Sequence, residues 1–137
     1  MFEKLAGRLP VLIHAGDYRY HYSNPALIEQ VLTDFPTLTV IAAHMGGWTE
    51  WERAAETLPG KHDNLYVDAS STLFAVGPQR MAELIRLFGA DRIFFGSDYP
   101  TRNLGDELRA FNEVPISEEE KEKIRWGNAC RFFERSL

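Results

Sequence analysis

The amino-acid sequence predicts an α/β fold built on a parallel sheet, and three observations carry that prediction. The segments PVLIH, LTVIAAH, LYVDAS and RIFFGSD each run apolar and stop at His14, His44, Ser70 and Asp98. Each is followed by a loop and then by a stretch with apolar residues at helical spacing. The apolar runs are continuous rather than alternating, as in parallel strands whose two faces are both covered by helices. The pattern counts four strand–helix units, half of a closed (β/α)₈ barrel, and periodicity alone leaves half a barrel and a small open sheet both standing.

The elements follow in order. Residues 2–8 read as the end of a helix punctuated by Gly7 and Pro10, and Val11–Ile13 is too short and too branched for a buried helix. Asn24 before Pro25 is an N-cap followed by proline at the first helical position. Leu27, Ile28, Val31, Leu32 and Phe35 then repeat at helical spacing until Pro36. Residues 38–43 form the second strand. Gly46-Gly47 breaks the chain, and WTEWERAAETL reads as a helix capped by Thr49 with Glu52 three residues on. Residues 65–69 form the third strand, and Pro78 opens a helix with Met81, Leu84, Ile85 and Phe88 on one face and Gly89 beyond its end. Residues 92–95 form the fourth strand. Ser117 with Glu120 opens a last helix, expected to break near Gly127-Asn128.

Composition bounds the function. The chain of 137 residues is read as one domain, residues 1–137, with no linker or low-complexity tract. A net charge of −5 and the lack of a Lys/Arg run argue against nucleic acid. No apolar run reaches the ~20 residues of a membrane span, and Glu3, Lys4 and Arg8 stand where a signal peptide would be apolar. The protein is therefore expected to be cytoplasmic and to have no membrane partner. The single cysteine, Cys130, cannot form an internal disulfide and is expected to be a buried structural thiol.

In parallel α/β folds chemistry sits where strands end, because the strand fixes a side chain while the loop leaves it accessible. His14 and His44 end neighbouring strands with one helix between them, and Asp98 ends the fourth. Nitrogen and oxygen donors in such positions point to a divalent metal site. In GSDYP, Gly96 allows close approach, Asp98 projects into the mouth and Pro100 turns the chain away; an Asx turn or N-cap is the alternative role for Asp98. Asp68 and Ser70 are weaker candidates, with loop capping an equal reading. The loop from Asp17 to Tyr22 carries Arg19, a planar fork suited to a carboxylate, and Tyr20, a candidate pocket wall. Gly47 and Trp48 follow His44 in a turn that could present backbone N–H groups to an anion, or simply pack. His62 is expected to be solvent exposed and without a role.

PVLIHAGD, FPTLTVIAAHMGG, NLYVDASS, ADRIFFGSDYP and IRWGNACRFF, in this order and spacing, resemble the C-terminal half of the amidohydrolase-related proteins. These are metal-dependent (β/α)₈ barrels that include aminocarboxymuconate-semialdehyde decarboxylase and related hydrolases. The resemblance implies an α/β fold of four βα units corresponding to barrel strands 5–8. It implies that His14 and Asp98 are metal ligands, that His44 and Asp98 are catalytic, and that the metal is zinc, which lowers the pKa of bound water toward ~7. Arg19, Tyr20, Gly47 and Trp48 are the candidate substrate contacts.

The family's strand 1 His-x-His pair would lie upstream of Met1. The expectation is therefore a fragment, or a half barrel that pairs with a second copy or with a separate N-terminal half. Three functions follow, in order. The first is a metal-dependent hydrolase acting on a small carboxylated ester, lactone or amide. The second is a non-oxidative decarboxylase on the same site, and the third a non-catalytic half barrel.

Overall fold

The computed structural model describes residues 1–136, which form two compact units divided between Asp68 and Ala69. Both are α/β in content, and the expected parallel sheet is present.

The first unit runs α1 (Phe2–Leu5), β1 (Val11–Ile13), α2 (Pro25–Asp34), β2 (Val40–Ala42), α3 (Trp51–Thr57) and β3 (Leu65–Asp68). The strands pair in parallel with Leu12 opposite Ile41 and Ile41 opposite Tyr66. Side chains alternate across a strand, so Val40, Ala42 and Val67 turn to one face and are fully buried. Leu32, Leu38 and Leu58 are fully buried as well, each contributing ~1.5–3 kcal/mol of transfer free energy. The start of α2 is as expected: Pro25 occupies its first turn and the Asn24 side chain accepts from the Leu27 N–H. Ile28 and Leu32, one turn apart, form its buried face, while Leu27 lies to the side and is exposed.

Thr49 does not cap α3. It sits at φ 61° outside the helix, Glu50 holds the cap position, and the Thr49 hydroxyl accepts from the Tyr18 N–H instead. A loop partner distant in sequence took the oxygen that a capping box would have used.

The second unit contains α4 (Thr72–Phe88), β4 (Ile93–Phe94), α5 (Leu104–Asn112), α6 (Glu118–Glu122) and α7 (Asn128–Ser136). Gly77 (φ 78°, ψ 167°) interrupts α4, so Pro78 does open its longer part, and an unanticipated turn from Thr72 precedes it. Sequence periodicity also missed α5, which buries only Glu107 and Phe111. Its signal was local: the Asn103 side chain accepts from the Gly105 and Asp106 N–H groups, and Asp106 and Glu107 occupy the first turn. The capping box of α6 forms in both directions between Ser117 and Glu120.

The helix does not break at Gly127-Asn128. A π-helical turn, Lys123–Gly127, carries it on into α7. Asn128 anchors that junction by donating to the carbonyls of Ala90 (2.6 Å) and Ile93 (2.7 Å). Ile124, Asn128 and Phe132, at successive fourth positions, form the buried face. Cys130 lies off it and is exposed, contrary to expectation. His62 departs the other way: its side chain is largely covered, with Nε2 3.6 Å from Glu29 Oε1.

Candidate functional site

In the first unit, β1 and β2 deliver their terminal histidines to one place. His44 Nε2 lies 3.1 Å from His14 Nδ1, and the rings meet edge to face at 4.9 Å between centroids. His44 is buried and His14 exposed. The tautomer decides which nitrogen donates. Thirty positions separate the two in sequence; parallel pairing of neighbouring strands removes that distance.

His44 is also held in an uncommon backbone conformation. His44, Met45 and Gly46 have φ of 58°, 52° and 76°, successive left-handed residues of which only the last is glycine. Such geometry costs about 1–3 kcal/mol for each non-glycine residue and persists only where the surroundings enforce it. The enforcing contacts are visible. Asp68 Oδ1 accepts from the His44 N–H at 3.2 Å, and the Trp51 indole N–H donates to the His44 carbonyl at 3.1 Å. Asp68, a weak candidate in sequence, thus acts as a cap on the His44 backbone.

The loops after β1 and β2 are stitched together beside the histidines. Gly16 bridges Trp48; the Asp17 N–H donates to the Trp48 carbonyl (2.7 Å) and the Trp48 N–H to the Ala15 carbonyl (2.6 Å). The amides of Gly46 and Gly47 donate to Ala43 and His44. An anion at this turn would therefore compete with bonds already made. The Trp48 ring lies 5.6 Å from the His44 ring and 5.4 Å from that of Trp51, which makes it a wall of the histidine site.

Arg19 is exposed and directs its fork to Asp17, with Nε on Oδ1 at 2.9 Å and Nη2 on Oδ2 at 2.8 Å. Through those hydrogen bonds the guanidinium holds the Asp17 carboxyl at about 2, from its ordinary 3.8. The edge of Arg19 proposed for substrate is thus engaged within the chain. Tyr20 stacks on Tyr22 at 5.7 Å and is half exposed.

Asp98 belongs to the second unit. It follows β4 at φ 61°, exposed, and its Oδ2 accepts from the Ser71 hydroxyl at 2.9 Å. The Thr101 N–H closes a turn on the Asp98 carbonyl at 2.8 Å. Arg102 then lies with Cζ 3.8 Å from the centroid of the Phe74 ring and donates from Nε to the buried Glu107 at 2.9 Å. Ser71 is the residue that sequence reasoning passed over in favour of Ser70.

Among the described residues, the non-glycine residues of positive φ are Asp17, His44, Met45, Thr49, Ser71 and Asp98. Every one lies in a loop following a strand's C-terminal end, which is where the sequence located the chemistry. Among the described residues, however, no group of three or more His, Cys, Asp or Glu side chains is disposed to hold a metal ion. His14 Nδ1 is within hydrogen-bonding distance of His44 besides. A catalytic metal centre usually draws on three protein ligands, and His14, His44 and Asp98 are the donors that the sequence nominates for one.

A family model described as Amidohydrolase matches residues 3–135. The chain belongs to the amidohydrolase family. Among curated proteins it is similar to gamma-resorcylate decarboxylase of Polaromonas sp., 30% identical over 117 residues that cover 72% of this chain and 35% of the relative. The enzyme of the same name from a Rhizobium species is 28% identical over 118 residues, 73% of this chain and 35% of the relative.

Among solved structures, an uncharacterised TIM-barrel protein of Bordetella bronchiseptica matches with a TM-score of 0.76 and 31% identity, over 95% of this chain and 47% of that one. Dihydroxybenzoic acid decarboxylase of Polaromonas sp., with bound manganese and the inhibitor 2-nitroresorcinol, matches with a TM-score of 0.63 and 25% identity, over 82% of this chain and 39% of that one. The chain thus spans about a third of the curated relatives' length. No helix among the described residues is long and apolar enough to cross a membrane.

Proposed function

We propose that this chain is part of an enzyme that removes carbon dioxide from a small aromatic carboxylic acid without net oxidation. The observation that carries this reading is the 30% identity to gamma-resorcylate decarboxylase across 72% of the chain. It favours decarboxylation, the second of the functions expected from the sequence, over ester, lactone or amide hydrolysis. The His14–His44 pair at adjacent strand ends, walled by Trp48, supports it as a place where a proton can be held beside an aromatic surface.

In the reaction the bond between ring carbon and carboxylate breaks, carbon dioxide leaves, and the electron pair left on carbon takes a proton. Asp98 is the proposed source of that proton. Its exposed carboxyl lies in the loop that follows β4, where general acid work needs access as well as fixed geometry. His44 is proposed to orient the substrate, with His14 holding or returning a proton at the shared Nε2···Nδ1 contact. Trp48 is the favoured substrate wall, ahead of Tyr20; Gly47 and Arg19 would have to give up bonds they already make.

A divalent cation, as manganese is in the Polaromonas decarboxylase, would supply electrostatic polarisation of the acid. His14 and Asp98 are the proposed contributions of this chain to it. The strands are proposed to match half of the relatives' barrel, strands 5–8, with the rest supplied by a second copy or an N-terminal half.

The test uses the chain as it assembles in solution, a dihydroxybenzoate and added manganese, with released carbon dioxide measured. Release that is lost in His44→Ala and Asp98→Asn is the expected result. Hydrolysis of an aryl ester or lactone without carbon dioxide would replace this reading with the hydrolase. Neither activity would leave a non-catalytic half barrel.

A further inference from the structure

We infer that Ser71 is a positioning residue for Asp98: a buried hydroxyl that locks an otherwise exposed carboxylate into one orientation. The inference rests on the proposed role of Asp98 as proton donor.

Ser71 occupies the position immediately before α4, where a serine side chain ordinarily accepts a hydrogen bond from an amide of the first helical turn. Here it makes no such cap. The hydroxyl donates instead to Asp98 Oδ2 at 2.9 Å, across 27 positions of sequence. Ser71 is only 3% exposed and has φ 55°, ψ −6°, the left-handed region. Two unfavourable features therefore coincide at one residue, a forgone cap and a strained backbone. One contact accounts for both.

The receiving end is equally unusual. Asp98 is itself at φ 61° and exposed, so nothing in its own packing would hold its side chain in a single rotamer. The Ser71 hydroxyl donates to Oδ2, which leaves Oδ1 to carry the proton that Asp98 would give, and a buried hydroxyl tied to one oxygen sets the direction of the other. The chain leaving Asp98 is fastened to the same helix start a second time, where Arg102 lies over Phe74, three residues beyond Ser71. Arg102 is in turn oriented by the buried Glu107. The first turn of α4 is thus a seat for the Asp98 loop, with Ser71 addressing the carboxylate and Phe74 the loop behind it.

Two variants separate the hydroxyl from the backbone. Ser71→Ala removes the donor and keeps the strain; Ser71→Gly removes the donor and relieves the strain. In the full isotope-labelled chain, three-bond couplings should report a single Asp98 χ1 rotamer in the parent and rotamer averaging in both variants. Ser71→Gly should melt no lower than Ser71→Ala. In the decarboxylation assay both variants should lose roughly 10- to 100-fold in kcat with KM nearly unchanged, the signature of a misplaced reacting group. A single retained Asp98 rotamer in Ser71→Gly, or full kcat in that variant, would overturn the inference. A parent chain that releases no carbon dioxide would sink the decarboxylase reading alone, because the rotamer measurement would still decide what Ser71 does.

Discussion

At the scale of single residues, the loops around the histidines depend on backbone approach that side chains would block. A Cβ on Gly16 would lie 2.4 Å from both the amide nitrogen and the carbonyl oxygen of Trp48, and Gly16 also has φ 93°. Gly16→Ala should therefore cost roughly 3 kcal/mol or more, read as a fall in the denaturation midpoint. A loss below half a kilocalorie would mean that the loops are not stitched as described. Next to it, the Asp17–Arg19 pair makes a titration prediction. Asp17 should titrate at about 2, and in Arg19→Ala should return toward 3.8. Because its folded value is depressed, this carboxylate stabilises the fold above pH 3.8 and loses that contribution as pH falls through about 2. Carbon-detected NMR across pH 1.5–5, about two units around these values, follows it directly.

At the scale of elements, the C-terminal helical segment hangs on its cap and on the junction at Asn128. Ser117→Ala removes half of the capping box and should cost about 1 kcal/mol. The Glu120 carboxyl, held below its ordinary 4.5 chiefly by the Ser117 N–H and then by its hydroxyl, should move up in that variant. Asn128→Ala leaves the carbonyls of Ala90 and Ile93 without their donor inside a buried site. It should cost about 2–3 kcal/mol, more than the surface cap, because an unsatisfied buried acceptor loses its full solvation. Chemical denaturation of the two variants side by side checks the ranking.

At the scale of the whole molecule, β1 is an edge strand, and its central residue Leu12 is 67% exposed with Leu9 close behind. Leu12 heads a row continued by Ile41 and Tyr66 on the face opposite the buried core. An apolar edge of this kind is a template for association. Sedimentation should show concentration-dependent oligomers, and Leu12→Lys should shift them toward monomer. A parent chain that stays monomeric at the highest soluble concentration would contradict this, and with it the proposed pairing with a second copy.

The sequence alone determined the strands, the proline- and asparagine-marked start of α2, the Ser117 capping box and the placement of His14, His44 and Asp98 in the segments that follow strands. Those features are written in local patterns: runs of apolar residues, caps and punctuating glycine and proline, whose physics acts over a few neighbouring residues. Tertiary structure decided what depends on residues far apart in sequence. It drew the Thr49 hydroxyl to Tyr18, gave Asp68 to the His44 backbone, turned Arg19 to Asp17 and selected Ser71 over Ser70 as the partner of Asp98. It also left Cys130 outside the Ile124–Asn128–Phe132 stripe. A hydroxyl or carboxylate has many possible partners within reach of a loop, and only the folded chain brings one of them to hydrogen-bonding distance.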